Sequence, residues 1–157
     1  MRNAVQLILA ITVPLAVGGL SGFATARGVA SWYPTLAKPS FNPPAWVFGP
    51  TWTVLYILMG VALFLVWRQG LDTQGVRLAL IAFGVQLMLN ALWSIIFFRM
   101  QSPGWAFAEI ILLWIAIIAT LWAFWRVMPA AGWLLVPYLA WVSFAGVLNG
   151  SIWILNR

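Results

Sequence analysis

The run GWAFAEIILLWIAIIATLWAFWR, residues 104–126, decides the class of this chain. It holds one acid, Glu109, near its start and one base, Arg126, at its end. About 20 such residues wound as an α-helix cross the roughly 30 Å hydrocarbon core of a bilayer. Four more runs share this character, at about 3–26, 46–67, 76–98 and 132–154. The composition agrees: 64% of the 157 residues are hydrophobic and 6% are charged, against roughly 25% charged in a soluble domain. The chain reads as an all-α integral membrane protein, a single five-transmembrane-helix bundle over residues 1–157.

The links after the first are short: 68–75 with Gly70, Asp72 and Gly75, then 99–103 with Pro103, then 127–131 with Pro129. Short links make successive helices antiparallel neighbours. Arg2 and the triplet Ala24-Thr25-Ala26 imitate a signal peptide, but the apolar stretch exceeds the 7–15 residues of such segments. The first run is therefore expected to stay as a span. Eight Lys and Arg against Asp72 and Glu109 give a net charge of +6. The bases sit singly at the ends of runs, as interfacial anchors do. No basic stripe is present for a phosphate backbone, so no nucleic-acid partner is expected. Orientation is a tie: Arg2, Arg68, Arg77 and Arg126 lie on one side, Arg27, Lys38, Arg99 and Arg157 on the other.

Cysteine and histidine are both absent. That excludes disulfides, thiolate nucleophiles, a Ser-His-Asp triad and the commonest metal and haem ligands. No metal site is expected and no cofactor is required.

Polar side chains in lipid turn inward or mark function. Gln86, Asn90, Trp93 and Phe97 fall on one helical face, as do Trp141, Ala145, Leu148 and Ile152, and Trp52, Tyr56 and Met59. Trp105, Ala108, Glu109 and Leu112 cluster near the start of the fourth run. Large aromatics, small residues and a few hydrogen-bonding groups suit a pocket for a flat apolar ligand. Packing explains the same stripes, and Trp46, Trp67, Trp125, Trp133 and Trp153 sit where interfacial belts sit. The small-residue spacings in Gly18–Gly22 and Gly146–Gly150 serve close packing within the bundle or a dimer face. Glu109 is the only acid expected within a span, near a helix N-terminus that favours a carboxylate.

Between the first two runs lies WYPTLAKPSFNPPAWVFGPTW, residues 32–52, with five prolines and six aromatics in 21 residues and Lys38 as its only charge. The link itself, about 27–45, is long beside the others, and long ordered loops often act as lids. Its prolines restrict the chain, and Trp32, Tyr33 and Phe41 offer apolar surface. A stiff aromatic lid over the mouth of the bundle is expected, with interfacial anchoring as the alternative.

Trp32-Tyr33, Leu36, Lys38-Pro39, Pro43-Pro44, Trp46, Phe48, Trp52 and Leu55-Tyr56 together resemble the TspO/MBR family, that of tryptophan-rich sensory proteins and the translocator protein or peripheral benzodiazepine receptor. The resemblance continues through Gln86, Asn90, Trp93, Phe97-Phe98 and Pro137–Trp141, then Phe144-Ala145 and Leu148-Asn149. It implies a five-helix bundle, usually a homodimer, that binds protoporphyrin IX, related tetrapyrroles and isoquinoline or benzodiazepine ligands beneath the first loop. Carried over by motif, the ligand-binding residues are Tyr33, Pro43, Pro44, Trp52, Asn90, Trp93, Trp105, Trp141, Ala145 and Leu148. Trp52 and Trp141 match positions that some bacterial members link to light-dependent porphyrin degradation. The sterol-recognition motif of animal members fails here, where Gly150 stands in place of its aromatic, which argues against cholesterol binding. The short C-terminus implies a bacterial-type member in a bacterial membrane, inner or outer.

Three functions compete on these residues. A porphyrin receptor or sensor needs stacking surfaces, with Asn90 and the lid meeting the polar edge and Arg27 or Lys38 meeting carboxylates. An enzyme would draw its chemistry from the excited chromophore, with Trp52 and Trp141 taking part. A tetrapyrrole or lipid transporter would be expected to show repeats or a coupling acid; no repeat is evident, and Glu109 is the sole intraspan acid.

Overall fold

A computed structural model describes residues 2–157. Five helices form: α1 (Arg2–Arg27), α2 (Ala45–Trp67), α3 (Val76–Ser94), α4 (Pro103–Val127) and α5 (Pro129–Leu155). All five are long and apolar enough to cross a membrane, and the protein is a multi-pass integral membrane bundle with no strand among the described residues. Proline opens both α4 and α5, where its missing N–H is no loss and its fixed φ suits the first turn. Gly75 precedes α3 at φ 87°, a conformation open to glycine at no steric cost.

The link after α1 differs from the loop expected at 27–45. Helical winding does not stop at Arg27: a π-helical turn, Gly28–Trp32, and a 3₁₀ turn, Tyr33–Thr35, carry it on to an extended Leu36. No proline falls between Arg27 and Pro34, which sits in the first turn of the 3₁₀ segment, where it is tolerated. The irregular part shrinks to residues 36–44. A second π-helical turn, Ile95–Arg99, ends α3 beside the first, and a Cβ on Gly28 would overlap the Phe98 carbonyl.

The helices close a ring in the order α1, α2, α5, α4, α3 and back to α1. Glycines set the closest approaches. A Cβ on Gly60 would lie 2.5 Å from Ile11 Cα, so α1 and α2 touch there backbone to backbone. Gly18 sits under the Tyr56 ring, and Gly150 faces Phe107 of α4, so both small-residue stretches pack in part within the bundle. At the far end from the loop the core is largely apolar, with Phe83 stacked on Phe124 at 5.8 Å among Val66, Val76 and Ala131, and the buried Thr120 hydroxyl donating to the Ala116 carbonyl. Polar groups and most ring contacts collect at the loop end.

Candidate functional site

The floor of the loop end is a chain of buried hydrogen bonds joining three helices. Tyr56 of α2 donates its hydroxyl to Asn90 Oδ1 at 2.7 Å. Asn90 Nδ2 donates to the Tyr138 hydroxyl of α5 at 3.1 Å, and Tyr138 donates onward to Gln86 Oε1 at 2.9 Å. Asn90 and Gln86 are one turn apart on α3, so one helix face presents both amides. All four side chains are buried, and burial is tolerable because each polar group has a partner.

Aromatic walls rise from this floor. Trp52 stacks on Tyr56 at 5.5 Å and meets Tyr138 edge-on at 6.3 Å. Trp93 stacks on Phe97 at 5.4 Å. Its Nε1 donates to Asn149 Oδ1 at 3.0 Å, and Asn149 Nδ2 donates to the Pro103 carbonyl. Trp141 lies between Phe48 at 6.0 Å and Phe144 at 5.5 Å. Its Nε1–H is buried and has no hydrogen-bond partner among the described residues. Ala145 packs one turn along from Trp141, while Leu148 is buried with Phe97, Ala106 and Ile152.

The roof is the link after α1. Trp32 and Tyr33 rest on Phe97, Tyr33 also on Phe98, and Phe41 touches Phe144 edge-on. The Tyr33 hydroxyl donates to Asn42 Oδ1 at 2.9 Å. Lys38 Nζ donates to the carbonyls of Pro34 and Leu36 and lies 4.8 Å from the Tyr33 ring centre. Its charge is therefore engaged by the loop itself, and Arg27 is exposed. Pro43 is half-buried; Pro44 is exposed and precedes the first turn of α2.

The structure thus brings Tyr33, Pro43, Trp52, Asn90, Trp93, Trp141, Ala145 and Leu148 to one end, with Pro44 at its rim. Trp105 does not join them. It is 73% exposed and, with Ala108 and Leu112, faces outward, whereas Ala106, Glu109 and Leu113 turn inward. Both sides of α4 are built mostly of apolar residues, so spacing alone picks the wrong side. Glu109 is 6% exposed, and neither carboxyl oxygen has a partner among the described residues. A separate apolar groove of about 530 Å³ opens between α4 and α5 past Gly146 and Trp114; none of the sequence-derived site residues lines it. Residues missed by the sequence reading are Asn149, which fixes Trp93, and Asn156, which binds the roof. A lone amide in an apolar span was the available signal for Asn149; Asn156 lies outside the spans and gave none.

Comparison with known proteins places this geometry in context. Residues 10–154 match the model of the TspO/MBR family. The tryptophan-rich protein TspO of Chlorobaculum tepidum is 47% identical, over 99% of this chain and 98% of its own. The protein of the same name from Archaeoglobus fulgidus is 42% identical over 98% and 99%. The human translocator protein is 43% identical over 78% of this chain and 73% of its own.

Proposed function

The chain belongs to the TspO/MBR family, and on that premise we propose that it is a membrane receptor for flat aromatic ligands, tetrapyrroles of the protoporphyrin type foremost. The ligand lies beneath the 36–44 roof, between Trp52, Trp93 and Trp141. Isoquinoline and benzodiazepine-type molecules fall in the same shape class.

The observation that carries this reading is the unpaired Nε1–H of Trp141, buried within an aromatic cluster. An unsatisfied buried donor costs about 1–3 kcal/mol, and a ligand bearing an acceptor at that point removes the cost. The surrounding rings supply stacking surface of the kind a macrocycle needs, each aromatic pair worth about 0.5–1.5 kcal/mol beyond its buried area.

The test is a dark titration of the purified protein with protoporphyrin IX, following tryptophan fluorescence, with Trp141→Phe and Ala145→Phe alongside. Saturable quenching is expected. Trp141→Phe should weaken binding by up to about tenfold, the value of one hydrogen bond, and Ala145→Phe more strongly by filling the site. Linear quenching, identical in all three proteins, would refute a pocket.

A further inference from the structure

We infer that Asn156 is a latch that holds the roof closed and sets the rate at which ligands enter and leave; this rests on the binding reading above. Residues 36–44 have no helical hydrogen bonding of their own. Their other hydrogen bonds stay inside the loop and its root. Leu36 N–H donates to Tyr33, Asn42 N–H to Pro39, the Asn42 amide to the Pro43 carbonyl, and Lys38 to Pro34 and Leu36. One residue ties the segment to the bundle by hydrogen bonds among the described residues. Ala37 N–H donates to Asn156 Oδ1 at 3.0 Å, and Asn156 Nδ2 donates back to the Ala37 carbonyl at 2.9 Å.

A primary amide carries one acceptor and two donors, so it can pair with a backbone peptide in both directions. Asn156 uses that capacity fully. Its second amide hydrogen is free to donate to the Ile152 carbonyl at 2.7 Å, which anchors the side chain to the last turn of α5. The link joins residues 119 positions apart. What else holds the roof down is side-chain packing: the rings of Trp32 and Tyr33 on one side and of Phe41 on the other, and Leu36 against the cluster of Phe97, Ala106, Leu148 and Ile152. Phe41 is itself 47% exposed. Swinging the middle of the segment outward therefore breaks the Asn156 pair while leaving the floor of Tyr56, Asn90, Tyr138 and Gln86 untouched. Asn156 is exposed and beyond the last helical turn, so replacing it does not disturb the core.

Hydrogen exchange at the Ala37 amide reads the latch directly, without any ligand. In Asn156→Ala, protection at Ala37 should fall about tenfold, the weight of the lost pair, while the melting temperature stays put. Asn156→Asp, which keeps the acceptor and loses both donors, should fall between. Stopped-flow mixing with protoporphyrin IX should then show association and dissociation both several-fold faster in Asn156→Ala, with little change in Kd. Unchanged exchange at Ala37 would overturn the latch. Faster exchange with unchanged ligand rates would overturn its control of entry. Absence of saturable porphyrin binding in the unaltered protein would instead end the binding reading, with the exchange result still deciding whether Asn156 holds the loop.

Discussion

Replacing Asn90 by leucine tests whether the floor is a coupled network or a set of incidental contacts. Asn90 is 2% exposed and accepts from Tyr56 while donating to Tyr138. Leucine keeps the branched four-atom skeleton, at larger volume, but leaves the Tyr56 hydroxyl, also buried, with no acceptor; Tyr138 keeps Gln86. An orphaned buried hydroxyl costs about 1–3 kcal/mol, and the second lost bond about 0.5–1.5 kcal/mol. The added apolar side chain returns part of this, so a net loss of about 1–3 kcal/mol is expected. Tyr56→Phe alone strands Asn90 Oδ1 and should cost about 1–2 kcal/mol. The double variant removes both partners and should cost clearly less than the sum, leaving a coupling of about 1 kcal/mol. Reversible unfolding in mixed micelles, followed by circular dichroism, gives all four corners of the cycle. Additivity within about 0.3–0.5 kcal/mol, the range seen for independent sites, would refute the network. Tyr56→Phe carries a second expectation, because it retains the ring on which Trp52 stacks: porphyrin quenching should survive while stability drops.

Two further substitutions probe the bundle. Gly60→Ala should destabilise by about 1–3 kcal/mol, as overpacking does, because its Cβ would lie 2.5 Å from Ile11 Cα and 2.9 Å from the Ala10 carbonyl oxygen. Gly84→Ala, whose Cβ meets nothing within 4 Å, should be neutral or gain up to about 1 kcal/mol of helix propensity; equal effects at both sites would discredit the close contact. Glu109→Leu should leave thermal stability unchanged or raise it by about 1–3 kcal/mol, since it replaces a buried carboxyl without partners by an apolar side chain. A fall in melting temperature would mean that the carboxyl has a stabilising partner.

The sequence made the span count and most of the floor legible because both rest on strong local signals. Twenty apolar residues in a row admit few other readings, and Gln86 with Asn90 is an amide pair one turn apart in a helix that is otherwise nearly all apolar. Trp52 with Tyr56 and Trp141 with Ala145 stand at the same one-turn spacing. On α4 spacing does not suffice, because periodicity marks a core face by contrast with a polar one, and in lipid that contrast is weak. Trp105 and Ala106 are adjacent, and only the packing of α4 on α3 and α5 decides that the alanine turns inward. The π-helical extension of α1 was equally invisible, since local sequence up to Pro34 is compatible with helix and with loop. What selects helix is the seam with the second π turn at Gly28 and Phe98, a contact between residues 70 apart. Asn156 belongs to the same class: its role exists only because the fold brings Ala37 to it.

The inventory of paired and unpaired groups also bears on selectivity. Asn90, Gln86, Tyr56, Tyr138, Trp93 and Asn149 spend their hydrogen-bonding groups inside the bundle, on one another, on the Pro103 carbonyl and on the Met59 sulfur. Among the described residues, the buried donor left free between the aromatic walls is Trp141 Nε1. A site built to hydrogen-bond several substrate atoms rejects analogues lacking them, because its own groups are then stranded. The proposed site strands one N–H among the described residues, so on that reading discrimination falls to shape and stacking, and a flat molecule with one suitably placed acceptor would satisfy it. On the proposed reading, a macrocycle and a fused bicyclic ligand, unlike in chemistry, would share the site. The roof is tied to the bundle by the exposed Asn156 pair, edge-on ring contacts and Leu36 rather than by a fully buried hydrogen-bond network, so differences between such ligands should appear first in their rates of entry and exit past Asn156 rather than in equilibrium affinity.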